Sequence, residues 1–415
     1  MSDKLSQIDN CEVCGNQELV SVLNLGLHPM CDDLVSKDEK RVCKEYPIEI
    51  LFCKVCRTAH QKFQVPKQEL FPSTYHYRSR FTADVLNGMK DLVESCQKHL
   101  GSLKGKRVLD VGCNDGSLLG FFKDKGAHTF GIEPTGASME ARAQGHTVYN
   151  DFLSEKVASE IASSHGKPDV IVFTNVFAHI ENLKEVIRSL QCLMSPETMI
   201  VIENHYLGAV LEGNQFDTFY HEHPRTYSFT SFIYIARSLG LPISELEFPA
   251  RYGGNIRIFM GPTNSAGFGE NSLIQETQLK EEKFLDLFYV MQKNIDSWKQ
   301  KKKKIILDLV NQYGKIRAKA FPGRAAILVK LLELDENLIL EVHEKPGSMK
   351  ISHFLPGTRI PIVSDDVLFA TNNESIPLLN LAWHIPNEIR TYLTENGYNA
   401  PVFDIIEPND FIDKA

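Results

Sequence analysis

The sequence predicts an α/β protein of more than one domain, and three observations carry that expectation. Four short apolar runs, Arg107–Val111, His128–Ile132, Asp169–Phe173 and Met199–Glu203, recur at the spacing of strand–helix units. The first run leads into the glycine-bearing turn of 108–116, VLDVGCNDG, which opens a helix. Two Cys-x-x-Cys pairs stand apart from this pattern near the N-terminus. At 415 residues the chain is too long for one core, and its 43% hydrophobic and 24% charged content is ordinary for globular proteins. Three blocks are expected: residues 1–80, 81–272 and 273–415.

The first block holds six of the nine cysteines, and Cys11-x-x-Cys14 and Cys53-x-x-Cys56 are separated by 38 residues. Paired knuckles of this kind favour a tetrahedral Zn²⁺ over disulfides, and four thiolates leave no open position, so the metal is structural. Cys31 and Cys43 lie in the spacer and are alternative ligands.

In the second block, Thr82–Leu100 reads as a helix with Thr82 as N-cap, followed by the strands of a doubly wound sheet whose ligands sit beyond the carboxyl ends. Gly112 and Gly116 let backbone N–H groups approach a ligand closely, and Asp110 stands at the end of the first strand. Glu133 ends the second strand, where an acid accepts ribose hydroxyls. The Gly-x-x-x-Gly spacing resembles motif I of class I S-adenosylmethionine-dependent methyltransferases. It makes Asp110, Gly112, Asn114, Gly116, Ser117, Leu118, Glu133, Asp151, Phe152 and Asn175 the candidate cofactor-binding residues.

Residues 261–272 (GPTNSAGFGENS) read as a linker. A long helix is expected over 275–312, because Phe284, Leu287, Phe288, Met291, Ile295 and Trp298 recur at helical steps as a packing stripe. The runs Arg324–Leu332, Asn337–Val342, Ile360–Val363 and Leu378–Ala382 then suggest a second Rossmann-like α/β domain.

Net charge is −8, which argues against a nucleic-acid partner; the cluster Lys299–Lys304 reads as a solvated helix face. No apolar run approaches a membrane span and the start carries no secretory signal, so a cytoplasmic monomer or homodimer is expected.

The densest polar run is Tyr220-His221-Glu222-His223, two imidazoles, a carboxylate and a phenol that can place a base beside its orienting partner. His179 follows the third strand. A metal site or a surface turn are the competing readings of the tetrad, and His179 reads equally as a satisfied histidine at the top of the sheet.

With these motifs in order, the chain resembles the sugar 3-C-methyltransferases that act on nucleotide-linked 4-keto-deoxysugars. The resemblance rests on the cysteine pairs, Tyr75-x-Tyr77-Arg78-Ser79, the glycine turn, the segment from Asn175 to His179, Tyr220–His223, Tyr252-Gly253-Gly254-Asn255-Ile256-Arg257, the run from Phe354 to Ile362, and Leu381-Ala382-Trp383. It implies an N-terminal zinc domain, a central class I methyltransferase domain and a C-terminal Rossmann-like domain, with S-adenosylmethionine as methyl donor. It further implies His223 as the base that forms an enolate, Glu222 as its tuning group, Tyr220 within the catalytic set, and His179 with Tyr75 or Tyr77 stabilising the oxyanion. Substrate contacts fall to Arg78, Arg80, His221, Tyr252, Asn255 and Arg257. The chain departs from the family at Ala320-Phe321-Pro322-Gly323-Arg324-Ala325 and at His343–Lys350, which leaves thymidine, guanosine and cytidine diphosphate sugars all open. O-methylation of a sugar hydroxyl, and a non-catalytic zinc-knuckle protein that holds S-adenosylmethionine, are the alternative functions.

Overall fold

The computed structural model describes residues 5–72, 75, 77–81, 83–262, 272–370 and 376–411. The chain folds into two compact units, each assembled from separate stretches: residues 1–21, 51–210 and 222–285 form unit 1, and residues 22–50, 211–221 and 286–415 form unit 2.

Unit 1 is built on a seven-stranded sheet. Its strands are β1 (Arg107–Val111), β2 (His128–Ile132), β3 (Thr147–Tyr149), β4 (Val170–Thr174), β5 (Met199–His205), β6 (Ile243–Glu247) and β7 (Asn255–Met260), in the spatial order β6-β7-β5-β4-β1-β2-β3. The five from β1 to β5 are parallel, and their buried residues form near-continuous apolar runs because both faces are covered. On one face the helix Ala83–Leu100 buries Val85, Met89, Leu92, Val93 and Cys96, three and four residues apart, against Val108, Val172, Val201 and Phe259. Each such fully buried apolar side chain contributes about 1.5–3 kcal/mol.

The last strand has a functional consequence. β7 runs antiparallel to β5, pairing Asn255 with His205 and Arg257 with Glu203. Its first residues therefore lie beside the carboxyl ends of the parallel strands, where open α/β sheets bind ligands.

The N-terminal part of unit 1 is held by two small antiparallel pairings. Ser6–Gln7 pairs with Phe63–Gln64, and Ala59–Gln61 pairs with Arg225–Thr226 so that His60 faces Arg225.

Unit 2 contains a five-stranded parallel sheet of β8 (Ile316–Lys319), β9 (Ile339–Glu344), β10 (Ile362–Ser364), β11 (Leu378–Asn380) and β12 (Val402–Asp404), ordered β10-β9-β8-β11-β12. The predicted stripe is buried at Phe288, Met291, Ile295 and Trp298, and the Trp298 indole N–H donates to the Ile405 carbonyl at 2.8 Å.

Several expectations are revised. Instead of one helix over 275–312 there are two, Ser272–Glu281 and Phe284–Tyr313. The first ends where buried Glu281 meets the N-terminus of the helix Phe229–Leu239, accepting the N–H groups of Phe229 and Thr230 at 2.7 and 2.9 Å. A carboxylate there satisfies orphan donors and complements the helix dipole. The lysine cluster is not wholly solvated: Lys302 is buried, 2.9 Å from Asp410 and donating to the Asp404 carbonyl. Ala325–Leu331 is a helix, and β8 precedes it. Thr82 and residues 263–271 of the expected linker lie outside the described residues.

Candidate active site

The turn between β1 and the helix Ser117–Asp124 forms as its glycines require. Gly112 and Gly116 have φ of +77° and +84°, and a Cβ on Gly112 would fall 2.5 Å from Val176 Cγ2. Asn114 is also left-handed, at +49°. The N–H groups of Gly112 and Cys113 both donate to the Ile132 carbonyl, which docks the turn onto the end of β2.

Glu133, 4% exposed, anchors the loop from the other side. Its carboxylate accepts the Asn114 N–H at 2.9 Å, and the Thr135 N–H and hydroxyl at 2.9 and 2.6 Å. Three of its about four acceptor positions are thus used by the described residues. Asp110 is buried, and burial together with the Glu133 charge pushes its carboxyl up to about 8. Ser117 is drawn to Asp115 through both its N–H and hydroxyl, and Leu118 packs in the core. Phe152 donates its N–H to Asp151, and the Lys67 ammonium lies 4.7 Å from its ring centre.

The segment bearing Tyr75, Tyr77, Arg78 and Arg80 closes over this turn through the Asn114 and Asp115 side chains. The Asn114 amide donates to the Tyr77 carbonyl and accepts the Ser79 N–H, and Asp115 accepts the Arg80 N–H at 3.0 Å. Arg78 and Arg80 both pair with Glu140.

At the carboxyl ends of β4 and β5 the histidines converge. Asn175, with φ +54°, donates its N–H to the Glu203 carbonyl and turns the chain into the short helical turn Phe177–His179. His179 Nδ1 lies 2.7 Å from the Glu222 carbonyl oxygen. A carbonyl only accepts, so this contact places the proton on Nδ1 and the lone pair on Nε2. Burial pushes the His179 imidazole down to about 4, hence neutral near pH 7. Its ring centre is 4.7 Å from that of His223, which in turn is 5.6 Å from that of His205. The Tyr75 hydroxyl donates to the Glu222 carboxylate at 3.0 Å, and Glu222 and His223 are buried. His223, Glu222, His179 and Tyr75 are therefore brought together.

Asn255 and Arg257 meet Glu203 instead. Fully buried Glu203 accepts from Arg251 at 2.6 Å, Arg257 at 2.7 Å and Asn255 at 3.0 Å, and Arg257 also donates to Glu247. The Asn255 amide reaches Asn175 Oδ1 at 3.3 Å. Arg257 is thus engaged by two carboxylates, and the Tyr252 side chain lies outside the described residues.

Within unit 2, half-buried Tyr220 precedes His221, whose Nε2 donates to the Tyr46 carbonyl at 3.1 Å. Burial pushes His221 down to about 4. Also within unit 2, segments 320–325 and 343–350 meet: the Phe321 N–H donates to Glu344 at 2.6 Å, and Lys350 donates to the Phe321 carbonyl. Arg324 lies 3.3 Å from Asp217, which also accepts the Trp383 indole N–H.

The sulfurs of Cys11, Cys14, Cys53 and Cys56 all lie within 4.8 Å of one another, with Cys11–Cys56 at 3.3 Å and Cys14–Cys53 at 3.6 Å. Four thiolates around one zinc sit about 3.8 Å apart, so the donor set fits the ion. His60 Nε2 is 3.3 Å from Cys11 Sγ and its Nδ1 3.7 Å from Glu12. Burial alone would raise the Glu12 carboxyl, but the Arg225 guanidinium and His60 hold it down at about 2. Cys31 is buried in unit 2, and Cys43, also there, donates to the Asp33 carbonyl; neither joins the cluster.

Comparison with known proteins agrees with this layout. Residues 11–71 match the family model described as "Putative zinc binding domain", residues 80–246 a "Methyltransferase domain" and residues 250–399 a "C-methyltransferase C-terminal domain". Together these matches support a likeness to the S-adenosylmethionine-dependent C-methyltransferases. C-methyltransferase NovU of Streptomyces niveus is 28% identical over 265 residues, 63% of either chain, so the match spans just under two thirds of that relative. A ubiquinone biosynthesis O-methyltransferase of Aeromonas salmonicida is 32% identical over 108 residues, 25% of this chain and 44% of that one. The magnesium protoporphyrin IX methyltransferase of Synechocystis PCC 6803, solved with bound SAM, aligns over 43% of this chain and 80% of its own at 16% identity and a TM-score of 0.32. S-adenosylmethionine and structural zinc, the cofactors expected from the sequence, are those that this family and the four-cysteine cluster fit.

Three members of the site escaped the sequence reading. His205 and Glu203 lie on a strand whose apolar start reads as core; the change to Glu-Asn-His at its end was the available signal. Asp115, beside Asn114 in the turn, was the other.

Proposed function

We propose that this protein transfers a methyl group to the carbon beside the ketone of a nucleotide-diphospho-4-keto-6-deoxysugar, at C3. The observation that carries the reading is the cluster of His179, Glu222, His223 and Tyr75 at the carboxyl ends of β4 and β5, in the same unit as the glycine turn. The name of the relative NovU, a C-methyltransferase, supports carbon as the acceptor.

Asp110, Gly112, Asn114, Gly116 and Glu133 are assigned to hold S-adenosylmethionine, with Ser117, Leu118, Asp151, Phe152 and Asn175 around them. When bound, that cofactor supplies an electrophilic sulfonium methyl. His223 is assigned as the base that takes the C3 proton, since imidazole suits a proton made acidic by a neighbouring carbonyl. Glu222 accepts the single Tyr75 O–H and orients that ring; the Tyr77 hydroxyl, or that of Tyr75 once it turns away from Glu222, donates to the C4 oxygen as charge develops there. His179 holds the Glu222 carbonyl; it donates to the same oxygen only with Nε2 protonated. Arg78, Arg80 and His221 are assigned to the substrate, with Tyr220, Tyr252, Asn255 and Arg257 shaping the site. Residues 1–80 are assigned as a zinc-binding domain that contributes to the substrate site, 81–272 as the S-adenosylmethionine-binding methyltransferase domain, and 273–415 as the long helix with a C-terminal α/β domain.

Incubating the protein and S-adenosylmethionine with a panel of thymidine, guanosine and cytidine diphosphate 4-keto-sugars tests the reading. A mass gain of about 14 Da and a product methyl carbon far upfield of a methoxy support it. A methoxy resonance, no turnover on any member, or near wild-type turnover by His223→Ala overturns it.

A further inference from the structure

Arg225 lies two residues beyond His223 and is fully buried, yet nothing in the proposed chemistry uses it. Its guanidinium spends its donors on four partners. Nε donates to the Tyr227 hydroxyl at 2.9 Å, Nη1 to the Glu12 carboxylate at 2.5 Å, and the Nη groups to the carbonyls of Ile180 and Glu181. Those carbonyls belong to the two residues that follow His179. Glu12 sits between two zinc-ligating cysteines, accepts from Gln64, and faces His60, whose other nitrogen meets Cys11 Sγ. His60 is also the cross-strand partner of Arg225, and the Gln61 N–H donates to the Pro224 carbonyl, next to His223. A continuous set of polar contacts, all hydrogen bonds except the 3.7 Å approach of His60 Nδ1 to Glu12, thus runs from a cysteine sulfur of the cluster to the backbone on both sides of the histidines.

We propose that Arg225 is a positioning residue that couples the zinc centre to His179 and His223. Glu12 and His60 are the links on the metal side. The planar fork of arginine bonds carboxylate, hydroxyl and carbonyls simultaneously, a task that lysine, with one point charge, does not replace. Partners behind the metal ligands commonly change metal affinity by about 10–100-fold when removed.

The proposal rests on the reading of His223 as the base, but its test does not require turnover. In protein labelled with ¹³C at the histidine Cε1, resonances of His179 and His223 are assigned by single substitutions and followed under three conditions. Removing zinc from the wild-type protein with a chelator shifts both resonances. Arg225→Lys shifts the same two while zinc content stays at one per chain and affinity for S-adenosylmethionine stays within about twofold. Glu12→Gln, a milder change at a part-buried site, shifts them and speeds chelation of zinc about tenfold. Unchanged resonances in Arg225→Lys or Glu12→Gln protein that retains zinc overturn the coupling. Shifted resonances in a protein that methylates no keto-sugar leave the coupling standing and overturn only the assignment of the reaction.

Discussion

The two parallel sheets share a strand order and differ in what stands at their strand ends. In unit 1, β3-β2-β1-β4-β5 is followed by the antiparallel pair β7 and β6; in unit 2, β10-β9-β8-β11-β12 repeats the same central order. After β1 comes a turn whose two glycines bring backbone close to a ligand position, with buried Asp110 held near its neutral form. After β8 comes Ala320, left-handed at φ +60° without being glycine. The strand-end cation Lys319 is bound by both oxygens of Asp365 at 2.8 and 2.9 Å, and Asp365 also accepts the Tyr392 hydroxyl. Equal topology therefore says little about chemistry. At the end of its central strand one sheet has a glycine turn and a near-neutral acid, where the cofactor is proposed to bind, and the other has a buried ion pair that serves its own cohesion.

Lys319→Met breaks this contrast most severely. It leaves Asp365 buried with only a phenol for company, and removing one partner of a buried pair costs about 3–5 kcal/mol. Denaturant unfolding should record that loss, with S-adenosylmethionine affinity unchanged in the protein that remains folded. The counterpart in unit 1, Asp110→Asn, should act in the opposite direction. The folded carboxyl keeps its proton up to about pH 8 whereas the unfolded one loses it near its ordinary value. Stability of the ligand-free wild type therefore falls as pH rises through that window, by at most about 1.4 kcal/mol per pH unit, and levels off above it. The substitution removes the penalty, so the gap in melting temperature between variant and wild type should widen from pH 5 to pH 8 and then stay constant. A constant gap across that range would show that Asp110 ionises normally.

Gly112→Ala sharpens the comparison at the turn itself. The added methyl meets Val176 and the backbone stays in a region costing about 1–2 kcal/mol. Calorimetry should show S-adenosylmethionine binding weakened at least about tenfold. Ala320→Gly relieves the corresponding strain in unit 2 and should leave binding untouched, with stability changed by about 1 kcal/mol or less, since the unfolded chain gains freedom in turn.

Much of unit 1 is legible in the sequence because buried parallel strands are uninterrupted apolar runs: β1 and β2 fall where expected, and β4 and β5 within two residues. The cysteine cluster is legible for a different reason, since metal geometry dictates local spacing. β8 is hidden because Ile316-Arg-Ala-Lys319 alternates in character, and its lysine is neutralised only by Asp365, 46 residues away. The break near Glu281 leaves no glycine or proline behind; its cause is a helix N-terminus distant in sequence. In the site, residue types were readable, but their tertiary partners were not. Nothing near Arg257 announces Glu203, and nothing near Arg225 announces Glu12.

The run Tyr220–His223 straddles a passage between the two units: its first two residues fold with unit 2 and its last two with unit 1. The polypeptide makes five such passages. Exchanging a contiguous C-terminal block with a relative to alter acceptor choice would therefore import only part of unit 2, leaving residues 22–50 and 211–221 from the original parent. A chimera that exchanges unit 2 of this chain whole needs crossovers at several junctions at once.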